Sequence, residues 1–369
     1  MAAEEVPGTR AAETDELVEH FRRHADACAA LGSPIYGALM GRAAADLEAG
    51  GPVAAVLDDH TGDPVQAATA LRLFGAVHGL ALAGEAPALG RFYPSVAGAA
   101  AEPFHAGRAW AAFRAVVAER APEVRAGLAT APQTNEVGRS AALVGGLLHL
   151  RARFGLPVRL VEIGASAGLN LRADHMRIAL ADGRGVGPPG SPVQLHEPWR
   201  GLLPPLGEWV EVVERYGSDI DPIDPATPAG QLRLTSFVWP DQQARLARLR
   251  GAFVLARAVP ATVRAERARD TVAALRLVPG TVTVLWHSVM WQYVAADERA
   301  EITAGLDALG AGATAAGPLA RLSLEPRGRG TAAGVEFVVR LRTWPGQATE
   351  LLGNAHPHGA TVVWRRAAM

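Results

Sequence analysis

The sequence predicts an α/β protein, a doubly wound and mostly parallel sheet preceded by a helical N-terminal domain. Three observations carry this. Through about the first 130 residues apolar side chains recur three and four positions apart, and no alternating pattern stands before position 157. From 157 to 325 short β-branched runs alternate with amphipathic stretches, the pattern of parallel strands joined by crossover helices. Two further strand-like runs then close the chain with no long helix between them, which predicts an antiparallel edge hairpin.

Residues 1–13 read as a disordered lead, and 14–135 as the helical domain. Thr14 caps a first helix through Leu17, Val18, Phe21 and Cys28. Ser33-Pro34 is a cap followed by proline at the first helical position, and Asp63-Pro64 repeats the device. Trp110, Phe113, Val116 and Val117 mark another helix. Gln133, Thr134, Asn135, Glu136 and Arg139 then form a dense polar knot, either a capping network or a substrate-binding edge. An apolar helix from 141 to 154 leads into a buried strand over 158–163, bounded by Pro157 and Gly164. The Gly/Pro-rich stretch 177–206 is too long for a connection and reads as an insertion into the α/β domain, 136–369. Strands are expected near 209–213, 261–265, 281–286, 320–324, 335–341 and 361–364, with 353–359 as a loop.

The turn after the first strand, Gly164-Ala165-Ser166-Ala167-Gly168, carries the chemistry. Small residues between a strand and a helix let a ligand approach the backbone, where the helix's first free N–H groups would face it. Glu162, inside an apolar run, is costly to bury without a partner. Glu162 to Gly168 resembles the first motif of class I S-adenosylmethionine (SAM) methyltransferases, acid-x-Gly-x-Gly-x-Gly, with Ser166 in place of the middle glycine. The same residues fit G-x-S-x-G, the nucleophile elbow of serine hydrolases. A plain turn that binds nothing is the third reading. An elbow needs strands and an oxyanion loop ahead of it, and none stands before 157, so chain order favours the cofactor loop.

Composition narrows the field. Formal net charge is −1, so nothing in the balance calls for nucleic acid or an anionic membrane. The chain has no lysine, which excludes a Schiff base and a Walker-type P-loop. Its single Cys28 allows neither an intramolecular disulfide nor a cysteine zinc site, and no metal centre is expected. No signal peptide and no apolar run of about 18 residues is visible, so a cytoplasmic protein without a membrane span is expected.

The stretches QTNEVGR, EIGASAGLNL, VWPDQ, HSVMWQY and HPHG together resemble a bacterial family known as a domain of unknown function, over nearly the whole chain. That resemblance implies a fold similar to class I SAM-dependent methyltransferases and SAM as cofactor. Glu162, Gly164, Ser166, Gly168 and Asn170 would line the cofactor, Asp219 or Asp221 would accept its ribose hydroxyls, and Arg267-Ala268 would flank the adenine. Gln133, Asn135, Glu136 and Arg139, with Trp239, Asp241 and Gln242, are the candidate contacts to a small-molecule acceptor. No Asn-Pro-Pro-Tyr motif is present, which argues against a nucleic-acid base as acceptor. His287, at the end of the strongest strand, is the candidate general base, with Tyr293 to orient it. A non-catalytic ligand-binding protein of the same fold is the remaining alternative.

Overall fold

The computed structural model describes residues 7–327, 335–359 and 361–365. The chain forms two compact units, residues 1–134 with 232–246, and residues 135–231 with 247–369.

Every described element of the first unit is helical. Its first helix spans Pro7–Ala30, so the lead expected to be disordered to residue 13 is helical from 7, and residues 1–6 lie outside the description. Ala11 to Glu13 are strong helix formers, which suits this. Helix Pro34–Glu48 starts at the Ser33 cap, whose hydroxyl accepts from Tyr36 N–H at 3.3 Å. The core gathers Phe21, Tyr36, Leu39, Phe74 and Phe113, and Trp239 joins it from the later segment. That segment's place in the first unit was not expected. Cys28 is buried there, and desolvation pushes its thiol up to about 12, which leaves it an inert small hydrophobe.

The second unit carries twelve described strands: β1 (Val158–Ile163), β2 (Arg177–Ala179), β3 (Gly185–Val186), β4 (Gln194–His196), β5 (Trp199–Gly201), β6 (Val212–Asp219), β7 (Thr262–Ala265), β8 (Val282–Ser288), β9 (Leu319–Arg327), β10 (Glu336–Trp344), β11 (Ala348–Ala355) and β12 (Val362–Trp364). Nine of them form one sheet in the order β5-β12-β11-β10-β9-β8-β1-β6-β7. β7, β6, β1, β8 and β9 run parallel, and β10 to β12 are antiparallel. Helix Ser140–Phe154 packs against one face, where Gly145 and Gly146 admit the side chains of Trp364 and Leu322. Helices Ala268–Ala274 and Ala296–Ala311 bury Val272, Ile302 and Leu306 against Ile163, Leu285 and Trp344 of the other.

One expectation changes. Past β9 the sheet continues as three antiparallel strands and ends in β5, not in a hairpin, because Gly353 to Ala355, read as loop, belong to β11. A tight turn with left-handed Gly346 and Gln347 leads from β10 into β11, whose mixed burial hides it from an alternation test. The insertion 177–206 is also structured. β2, β3 and β4 form a small sheet of their own, and β5 adds to the large sheet beside β12. Trp199 anchors it, its indole N–H donating to Ala141 C=O at 3.0 Å.

Candidate functional site

From β1 the chain passes to β6 on one side, while β8 lies on the other, so the strand order reverses between β1 and β8. The crevice at the carboxyl ends of such strands is where doubly wound sheets bind ligands. Here β1 ends in the Gly164–Gly168 turn and β8 ends in His287-Ser288. Gly164 has φ +65°, and a Cβ there would lie 2.8 Å from Met290 Cγ, so only glycine meets both the conformation and the close approach. Ser166 takes φ +53°, a left-handed conformation that favours glycine, at the motif's middle-glycine position.

Asp219 ties this turn to β6. One of its oxygens accepts from Ser166 N–H at 2.8 Å and the other from Asp221 N–H at 3.0 Å. Glu162 faces Gly217 of β6 and Trp286 of β8 and is 2% exposed. Burial pushes its carboxyl up to about 8, while the Asn170 amide, the Trp286 indole and the Arg139 charge pull it back. Its Oε2 accepts no hydrogen bond. It is one of three buried polar atoms here without a partner, with Trp286 Nε1 and Glu325 Oε2.

The polar knot converges on the same turn. Asn135 Oδ1 accepts from Leu169 N–H at 2.8 Å, and Ser140 Oγ donates to Asn170 Oδ1 at 2.7 Å. Glu136 accepts from Gly138 N–H at 3.1 Å and lies 3.9 Å from Arg248. Arg139 donates to Pro357 C=O at 3.0 Å and to Ser288 C=O at 3.3 Å, which joins the 356–359 loop to the end of β8. The element after the turn differs from the expected ligand-facing helix. It is a pair of short 3-10 turns kinked at Arg172, over Leu169–His175, and its leading N–H is taken by Asn135.

His287 is buried between two partners. Its Nδ1–H donates to Glu325 Oε1 at 2.7 Å, and its Nε2 accepts from Arg321 Nε at 3.1 Å. The ring stacks on Trp291, 5.1 Å between centroids. Desolvation lowers its pKa, so it stays neutral. With both nitrogens used, it has no lone pair to offer a substrate proton, which removes the reason for reading it as the general base. Glu325 Oε1 also accepts from Met290 and Trp291 N–H at 3.2 and 3.3 Å, so the network fixes the segment that covers Gly164. Tyr293, 62% exposed, makes none of these contacts.

A family model described as an uncharacterised protein conserved in bacteria (DUF2332) matches residues 18–364. The chain belongs to this family. No curated protein and no solved structure matches it. In this DUF2332 member the remaining expected contacts are dispersed. Asp241 accepts from Ser33 Oγ and from Ile35 N–H at 3.0 Å, Gln242 donates to Leu31 C=O at 2.8 Å, and Arg245 lies over Trp239, so VWPDQ holds helices of the first unit together. Gln133 also belongs to that unit. Arg267 pairs with Glu298 at 3.5 Å, and Ala268 starts the helix after β7, next to Glu266, whose N–H donates to Asp219 C=O. Ile220, 81% exposed beside Asp219, and Met290 over Gly164 were not singled out from sequence. An isoleucine between two turn-forming aspartates was the available signal for the first. None existed for Met290, whose contact depends on strand pairing.

Proposed function

We propose that the crevice at the ends of β1, β6 and β8 binds S-adenosylmethionine and that the protein methylates a small-molecule acceptor. The carrying observation is a tight Gly164–Gly168 turn clamped by the acid that ends the neighbouring strand, at the point where strand order reverses. The residues fit the ribose end. Asp219 ends β6 at the turn, the place where doubly wound folds hold ribose hydroxyls on a carboxylate. Exposed Ile220 offers an apolar surface to a purine ring. At Gly164 the Met290 side chain must swing aside, which three rotatable bonds allow. The bound cofactor would supply an electrophilic methyl group. The chain would orient it, and His287 would act by holding Met290 and Trp291 through Glu325.

Isothermal titration with SAM and with its demethylated product tests this. Binding is expected, with Asp219→Asn weakening it about tenfold or more through loss of a charge-assisted acceptor. No heat and no thermal shift with either ligand at millimolar concentration ends the reading. The serine-hydrolase reading draws on the strained φ of Ser166, but β1 is the first strand of the described chain, so the strands such an elbow requires are not ahead of it. A fluorophosphonate probe that labelled Ser166 would reverse the ranking.

A further inference from the structure

On the face of β9 and β10 that packs toward helix Ala296–Ala311, arginines outnumber the carboxylates beside them. Arg321 and Arg342 stand directly opposite each other across the two strands, and Arg340 follows on the same face. Burial first, and then the Arg342 and Arg340 charges, lower the tendency of Arg321 to hold its proton, while Glu325 and Asp307 oppose this. Two carboxylates lie among them: Asp307, which Arg342 meets at 2.6 Å, and Glu325 on the same face of β9 as Arg321, which accepts from His287 and from the Met290 and Trp291 N–H groups. Arg321 spends its Nε on His287 and rests over the Trp291 ring at 4.3 Å. Arg299, one helical turn from Thr303, makes no ion pair among the described residues, and neither does Arg340.

Beside them lies an open groove of about 550 Å³ lined by Trp291, Arg299, Thr303 and Asp307, which Arg321 borders through Trp291 and Arg342 through Asp307. That volume lies within the range of small-molecule sites. We infer that this groove is a binding site for a small organic anion, a flat ring carrying a carboxylate or phosphate, with the ring on Trp291 and the oxyanion among Arg299, Arg321 and Arg340. Arginine forks match such oxyanions geometrically and an indole face takes a ring, so both halves of the ligand class are read from side chains already in place. The anion would also relieve the repulsion between Arg321 and Arg342. The groove is distinct from the turn at Gly164, and the inference holds whether or not SAM binds there.

The test is titration of the full chain with benzoate and phenyl phosphate, with benzamide as a neutral ring and inorganic phosphate as an anion without one. Both ring anions are expected to bind, benzamide not to, and inorganic phosphate more weakly than phenyl phosphate. Whichever ring anion binds tighter assigns the site to carboxylates or to phosphate monoesters, and either result supports it. Arg299→Gln, at a half-buried helix position, and Arg340→Gln, at an exposed strand position, should keep the native circular dichroism and weaken binding about five- to tenfold each. Trp291→Leu should reduce the advantage of phenyl phosphate over inorganic phosphate. Benzamide binding as tightly as benzoate, unchanged binding in both arginine variants, or no binding of either ring anion at millimolar concentration overturns the inference.

Discussion

Glu162 is the residue on which the site's energetics turn. Its folded carboxyl titrates near 8 against an ordinary 4.5. The folded state therefore holds a proton that the unfolded state releases, and stability falls as pH rises from about 4.5 to about 8. Glu162→Gln removes this slope and is expected to stabilise the protein above pH 6, each unit being about 1.4 kcal/mol at most. Urea unfolding at pH 5, 7 and 9 reads this, and parallel curves for both proteins would contradict it. His287 carries the opposite sign. Its pKa is lowered, so its contribution is full above the ordinary 6.5 and is lost as pH falls toward the folded value. His287→Asn leaves the Arg321 and Glu325 groups short of a partner and should cost about 2–3 kcal/mol in the same experiment at pH 7. If His287 lay free at a ligand surface, that substitution would cost almost nothing.

At the scale of elements, what local pattern encodes was legible. β1 spans the very run bounded by Pro157 and Gly164, and the Ser33-Pro34 start needs only adjacent residues. Within the site, the turn and its acid at 162 were readable for the same reason. Partners far apart in sequence were not. Asn135 reaches Leu169, Arg139 reaches Ser288 and Pro357, and His287 meets Arg321 and Glu325 only because β8 and β9 pair. A histidine at a strand end looks the same in sequence whether its nitrogens are free or used. The turn itself is testable as an element. Gly164→Ala adds a Cβ both to a left-handed residue and against Met290, and should cost about 2–4 kcal/mol in thermal unfolding. Adding Met290→Ala should restore the steric part but not the conformational part. Full recovery would show that no backbone strain is involved.

For the whole molecule, the histidines act together. His20 and His78 are lowered to about 4, and His24, His149 and His287 are also lowered, in each case chiefly by burial. All five favour the neutral form, so stability should decline below about pH 6.5 and keep declining toward pH 4. Unfolding followed by tryptophan fluorescence across that range measures it, and a flat profile between pH 6.5 and 4.5 would contradict it. The borders of the nine-stranded sheet bear on handling of the protein. Both outer strands are short, three residues in β5 and four in β7, and so offer little free backbone to a neighbour. β5 is held there by β12 alone in the sheet order. A chain cut before residue 361 would lose β12, release β5 and bare Gly353 to Ala355 at the end of β11. Shortening the protein by so little should thus turn a protected border into a template for self-association, with β-rich precipitate as the visible result.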